Sequence, residues 1–192
     1  MQIIEEIEKY AKEHDVPIMQ KEGIEFLTNY IKEHKIKTIL EIGTAIGYSA
    51  IKMALVNDKI KVVTIEKDEK MYEEAIKNIS NLNLEKRIKV VHADALKVNI
   101  EGNFDMIFID GAKGQYIRFF ERFKDNLKKK GVIITDNVNF YGLVDRKRPI
   151  VSKSLSSLVD KINNYRDFLN RNQEFTTTIY NVGDGVSVSV RK

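Results

Sequence analysis

The chain has 192 residues, 43% hydrophobic and 31% charged, with a net charge of +4 and no cysteine. That length builds one domain with a substantial core and leaves too little for two. The absence of cysteine excludes disulfides and thiolate metal sites and suits a reducing compartment. No stretch approaches the roughly 20 apolar residues of a membrane span. The opening Met1-Gln2-Ile3-Ile4-Glu5-Glu6-Ile7-Glu8 lacks the basic flank and apolar run of a secretory signal, so a cytoplasmic location without a membrane partner is expected. The mild positive balance permits an RNA partner without requiring one.

Ile3, Ile4, Ile7, Tyr10 and Ala11 recur at helical spacing over 3–13. Val16-Pro17-Ile18-Met19 breaks the pattern, and Ile24, Phe26, Leu27, Tyr30 and Ile31 resume it over 21–34. Residues 1–34 therefore read as N-terminal helices, followed by a core over 37–192. Short β-rich runs follow at 38–42, 60–65, 88–92, 104–109 and 131–135, separated by helical patterns at 47–56, 68–80 and 114–129. Strands alternating with helices of this length indicate right-handed βαβ units and a mostly parallel sheet. Lys128-Lys129-Lys130 falls at the end of the 114–129 pattern, where lysines favour the negative end of a helix dipole. Residues 152–170 form a last amphipathic helix. Phe175–Tyr180 and Val186–Val190, joined by Asn181-Val182-Gly183-Asp184-Gly185, read as an antiparallel hairpin. The expectation is an α/β, Rossmann-like fold of the methyltransferase kind: seven strands, mostly parallel, ending in that hairpin, with helices on both faces.

Glu41-Ile42-Gly43-Thr44-Ala45-Ile46-Gly47-Tyr48-Ser49 sits where the first strand turns into a helix, and its glycines let the backbone approach a ligand. The spacing is G-x-x-x-G, not the G-x-G-x-x-G that seats a dinucleotide pyrophosphate. Glu66 closes the second strand, where a carboxylate can accept both ribose hydroxyls of an adenosine. Asp94 follows the third strand, where an acid can take the adenine amino group. Each has a plain alternative, since turns are rich in Gly and Asp and helix starts favour Glu. Their occurrence at three successive strand ends favours a nucleoside-bearing cofactor.

Asp110 ends the fourth strand and Asp136-Asn137 ends the fifth, so both emerge at the same carboxyl edge if the strands are neighbours. Two carboxylates and an amide oxygen form a hard, all-oxygen half-shell suited to Mg²⁺ or Mn²⁺, with positions left for substrate oxygens. Turn capping by Asp and Asn explains the same residues, and both readings stand at this point. Lys113, three residues after Asp110, can reach the same place, and a lysine beside a divalent cation is a usable base near neutral pH.

Glu41-Ile42-Gly43-Thr44-x-x-Gly47-Tyr48-Ser49, Asp110-x-x-Lys113-x-x-Tyr116 and Asp136-Asn137 together resemble the metal-dependent O-methyltransferases of the catechol and caffeoyl-CoA group. Val182-Gly183-Asp184-Gly185 is similar to that group's terminal hairpin. Within the group, Val16–Gln20, Ile109–Tyr116 and Thr135–Val138 most resemble the bacterial tRNA 5-hydroxyuridine methyltransferases. The resemblance implies Mg²⁺ held by Asp110, Asp136 and Asn137, with Lys113 as base beside Asp110. It also implies S-adenosylmethionine bound by Met19, Glu41, Gly43, Ser49, Glu66, Asp94, Ala95 and Asp110. Met19 and Tyr116 have plain core packing as their alternative.

A metal that holds its acceptor at two positions calls for adjacent oxygens, which a catechol and a 5-hydroxyuridine base both present. Phe140 and Tyr141 either offer faces for a splayed anticodon-loop base or pack under the loop, and Arg146-Lys147-Arg148, in a loop close to the metal in sequence, either contacts an anionic partner or is solvated. These residues point to a tRNA anticodon loop as partner, with a small catechol as the alternative and a non-catalytic RNA-binding module as a more distant one. The family is often dimeric, so a homodimer is one expectation; the apolar faces of the N-terminal helices or the 152–170 helix would either provide its contact or simply cover the sheet.

Overall fold

The structure is a computed structural model that describes residues 2–144 and 152–192; Arg146, Lys147 and Arg148 lie outside the described residues. Its elements are α1 (Gln2–Glu13), α2 (Lys21–Glu33), β1 (Thr38–Ile42), α3 (Tyr48–Leu55), β2 (Lys61–Glu66), α4 (Glu69–Asn81), β3 (Ile88–His92) and β4 (Phe104–Ile109). They continue with α5 (Tyr116–Phe123), β5 (Leu127–Thr135), α6 (Lys153–Arg171), β6 (Phe175–Tyr180) and β7 (Val186–Arg191).

The strands form one seven-stranded sheet in the order β3-β2-β1-β4-β5-β7-β6. β1 to β5 are parallel, and β7 lies antiparallel to both β5 and β6. Period-two side-chain alternation splits the core between the two faces. Ile39, Met106, Phe108 and Val132 face a layer containing Ile7 of α1, Ile24, Leu27 and Ile31 of α2, Ile51 of α3 and Ile79 of α4. Leu40, Ile107, Ile109 and Ile133 face Phe119, Phe120 and Phe123 of α5 and Tyr165 and Leu169 of α6. Each of these phenylalanines contributes about 1.5–3 kcal/mol by leaving water, which holds α5 against the sheet beneath the loop carrying Lys113.

The sheet ladder runs past the strand ends and so builds a common rim. The amide of Gly43 donates to Ile65 O (3.1 Å), Ala93 to Glu66 O (2.8 Å), Asp110 to Ile42 O (2.9 Å) and Asp136 to Ile109 O (3.2 Å). Among the described residues no helix is long and apolar enough to cross a membrane.

The three lysines depart from the sequence expectation. α5 stops at Phe123, a 3-10 turn covers Lys124–Asn126, and Lys128, Lys129 and Lys130 belong to β5. Leu127 is buried and pairs with Phe104, after which the register shifts before Met106 meets Val132. The exposed lysines occupy that irregular stretch, and Lys128 Nζ reaches Asp105 Oδ1 at 2.9 Å. Burial of Leu127 in the sheet core outweighs continuation of the helix, whose dipole favours lysine by only about 0.3–1 kcal/mol.

Candidate active site

The turn after β1 is shaped by glycine. Gly43 has φ +98°, and a Cβ there would lie 2.5 Å from the Asp110 carbonyl oxygen, so no other residue fits without moving the β4 end. Glu66 knits this turn to its own strand. Its Oε2 accepts from the amides of Thr44 (3.2 Å) and Ala45 (2.8 Å), and its Oε1 from those of Lys67 and Asp68, both at 2.9 Å. Asp94 Oδ1 accepts from the Leu96 amide at 2.9 Å, so this residue caps its turn while also lining the cavity.

Glu41 sits one layer back. It is wholly buried in β1 and absent from the cavity wall, where Ser49 stands in front of it and donates a 2.5 Å hydrogen bond to Oε1. Burial pushes the Glu41 carboxyl up to about 7, with the Glu66 charge adding and the hydroxyls of Ser49 and Thr64 opposing. Of the residues implied for the cofactor, Met19, Gly43, Ser49, Glu66, Asp94, Ala95 and Asp110 all reach the cavity. Glu41 does not line it and touches its wall at Ser49.

The β4 and β5 ends meet as adjacency in the sheet requires. Lys113 lies in a 3-10 turn (Lys113–Gln115) and donates through Nζ to Asn137 Oδ1 at 2.5 Å, while Asn137 Nδ2 donates to Asp136 Oδ2 at 3.1 Å. Tyr116 is buried and donates its hydroxyl to the Asp136 carbonyl at 3.0 Å, so this residue is both core and support for the site. Burial first, then the Asp136 charge, raises the Asp110 carboxyl well above its ordinary value, against the pull of Lys113. Burial likewise raises Asp136 to about 6; Asp184 adds to this, and the Asn137 amide and Lys113 oppose it. Two desolvated carboxylates repelling each other stabilise any cation placed between them. Among the described residues no cluster of three or more His, Cys, Asp or Glu side chains is arranged to hold a metal; this centre instead offers two carboxylates and an amide.

One cavity of about 630 Å³ joins the two halves, with Glu66, Asp94 and Ala95 in its wall together with Asp110, Lys113, Asp136 and Asn137. Lys67, Lys97 and Arg118 also line it; sequence reasoning did not single them out, because nothing in the pattern separates them from the chain's 32 basic residues. Phe140 adopts φ +42° beside the site, and Lys113 Nζ lies 5.7 Å from its ring centroid, within cation–π range.

A mostly parallel sheet with an antiparallel closing hairpin, a glycine turn after β1 and acids at successive strand ends defines the Rossmann-like methyltransferase fold. The family model for O-methyltransferases matches residues 1–192, and the chain belongs to that family, in its caffeoyl-CoA O-methyltransferase-like class. It is 27% identical over 192 residues to the caffeoyl-CoA O-methyltransferase of Populus kitakamiensis, covering 95% of this chain and 81% of the relative. A solved Staphylococcus aureus protein, provisionally named a caffeoyl-CoA O-methyltransferase, superposes with a TM-score of 0.93 at 35% identity, covering 98% of this chain and 92% of the other. The Bacillus cereus O-methyltransferase solved with S-adenosylhomocysteine superposes with a TM-score of 0.85 at 28% identity, covering 100% and 91%.

Proposed function

We propose that the protein transfers a methyl group from S-adenosylmethionine to a hydroxyl oxygen that neighbours a second oxygen on the acceptor, using a divalent cation at Asp110, Asp136 and Asn137. The observation that carries this reading is the continuous cavity whose wall includes both the adenosine-type acids and the two mutually repelling carboxylates with Lys113. Family membership and the product-bound Bacillus cereus relative support the cofactor. The donor set fits Mg²⁺ or Mn²⁺, being all oxygen and carrying excess buried negative charge. When bound, the ion would acidify the acceptor hydroxyl and fix both acceptor oxygens.

The chain's own residues supply the remainder. Glu66 and Asp94 orient the adenosine, Ser49 backed by Glu41 meets the methionine end, and Gly43 allows the cofactor to approach the β1 turn. Lys113 takes the hydroxyl proton as the oxygen attacks the methyl carbon; the carbon–sulfur bond breaks, and the sulfonium becomes a neutral thioether. Placement of the two reacting atoms in line accounts for most of the required acceleration.

For the acceptor, the reading is the wobble 5-hydroxyuridine of a tRNA anticodon loop, which would become 5-methoxyuridine. It is supported by the motif resemblance at Ile109–Tyr116 and Thr135–Val138 and by the presence of an aromatic ring, Phe140, beside Lys113. A small catechol-type acceptor is the second reading, favoured by the names of the curated caffeoyl-CoA relatives. Incubation of each acceptor with labelled cofactor and Mg²⁺ separates the two. Label entering hydroxyuridine-containing tRNA supports the first reading, and label entering the catechol alone overturns it.

A further inference from the structure

Asp136 and Asn137 leave the sheet at the end of β5, and Asn137 holds φ +60°, a left-handed conformation that asparagine adopts more readily than other non-glycine residues, here with contacts on both flanks. The upstream flank is held by the Asp136 amide on Ile109 O and by Tyr116 on the Asp136 carbonyl. The downstream flank is held by the connection between β6 and β7. Val138 donates its amide to Gly185 O (3.0 Å), and Asn139 donates its amide to Asp184 O (2.9 Å). The Asn139 side-chain amide then donates to Asn181 Oδ1 at 2.9 Å.

This contact leaves no room for a side chain at position 185. Gly185 has φ +86°, and a Cβ there would lie 2.4 Å from Asn139 Cγ and 2.7 Å from both Asn139 Cβ and Nδ2. The turn is closed on itself by the Gly185 amide on Val182 O at 2.9 Å. At its tip, a Cβ on Gly183 would come within 3.3 Å of the Gly23 amide nitrogen, so the connection is also wedged against the start of α2. It therefore cannot retreat easily when Asn139 is pushed.

We propose that the 181–185 connection and Asn139 form a clamp that positions Asp136 and Asn137, making Asn139 and Gly185 positioning residues for the cation half of the site. The inference rests on the metal reading above. Asn139 and Gly185 touch no reacting atom; they fix the direction in which the β5 end presents its oxygens.

The test is titration of the full chain with Mn²⁺, followed by electron paramagnetic resonance of the free ion, alongside calorimetric binding of S-adenosylmethionine without metal. Gly185→Ala should weaken Mn²⁺ binding about tenfold or more while leaving cofactor binding within twofold. Asn139→Ala, which removes the side-chain amide that donates to Asn181 Oδ1, should weaken Mn²⁺ binding less than Gly185→Ala does and leave cofactor binding within twofold. Asn181→Ala, which cuts one hydrogen bond without steric conflict, should give a smaller loss of the same kind. Equal Mn²⁺ affinity in a folded Gly185→Ala protein, or cofactor binding lost as steeply as Mn²⁺ binding, overturns the clamp. No Mn²⁺ binding by the unaltered protein, or binding unchanged in Asp136→Ala, overturns instead the metal reading on which it stands.

Discussion

Lys113 Nζ reaches across 24 residues of chain to donate a 2.5 Å hydrogen bond to the Asn137 amide oxygen, tying the turn after β4 to the end of β5. The contact puts the base at the same oxygen that would ligate the cation. Lys113→Ala should therefore lower kcat by about 10²–10⁴-fold, the usual range for loss of a general base. Cofactor binding should be little changed. Lys113→Arg should not recover the rate, because guanidinium does not give up its proton. Steady-state kinetics on the better acceptor checks both variants.

Gly43→Ala should abolish cofactor binding and destabilise the fold. The added methyl would meet the Asp110 carbonyl at 2.5 Å in a φ region that itself costs about 1–3 kcal/mol for an L side chain. Calorimetry for binding and urea unfolding for stability would show the two losses together. Unchanged affinity would contradict the close approach at this turn.

Glu41 gives stability a pH dependence of known sign. Its native carboxyl is raised to about 7 from 4.5, so between these values the folded state holds the extra proton. Stability from this group is fully present below about 4.5 and is lost as pH rises through about 7, by roughly 3 kcal/mol at 1.36 kcal/mol per unit. Glu41→Gln keeps an acceptor for Ser49 and removes the ionisation. Relative to the unaltered protein, it should gain stability as pH rises from 4.5 to 8, read by urea unfolding at each pH. Parallel pH profiles for the two proteins would contradict the assignment.

Much of this was legible in the sequence, for identifiable reasons. A short continuous apolar run such as Met106–Ile109, bounded by Asp105 and Asp110, suits a central strand buried on both faces, and a parallel sheet then delivers Glu66, Asp110 and Asp136 to one edge. The motifs at those ends carried the resemblance to the O-methyltransferase family that the family match shows. The end of α5 was not legible, because helical spacing persists through Lys124–Asn126 while the decision to leave the helix comes from Leu127 pairing with Phe104. Nor was the indirect position of Glu41, since the same strand residue could face a cavity or a neighbouring hydroxyl. The pairing of Asn139 with Gly185 is a contact between distant segments, and only the folded sheet brings them together.

Asp136→Asn should stabilise the metal-free protein at pH 8, because it removes one of two buried carboxylates that resist ionisation, Asp136 being raised to about 6. Asp136 contributes stability that is present below its ordinary range near 3.8 and is lost as pH rises through about 6. A bound cation should reverse this pattern, so the Mg²⁺-induced rise in Tm should grow from pH 5 to pH 8 in the unaltered protein. It should be absent in Asp136→Asn. Thermal unfolding with and without Mg²⁺ at each pH checks both statements.

The most direct measurement is methyl transfer from labelled S-adenosylmethionine to hydroxyuridine-containing tRNA and to a catechol, each with Mg²⁺, with EDTA, and with Asp136→Ala. Transfer to an oxygen acceptor that requires Mg²⁺ and vanishes with EDTA and in Asp136→Ala is the predicted result. Transfer that persists undiminished in EDTA and in the variant would contradict the account.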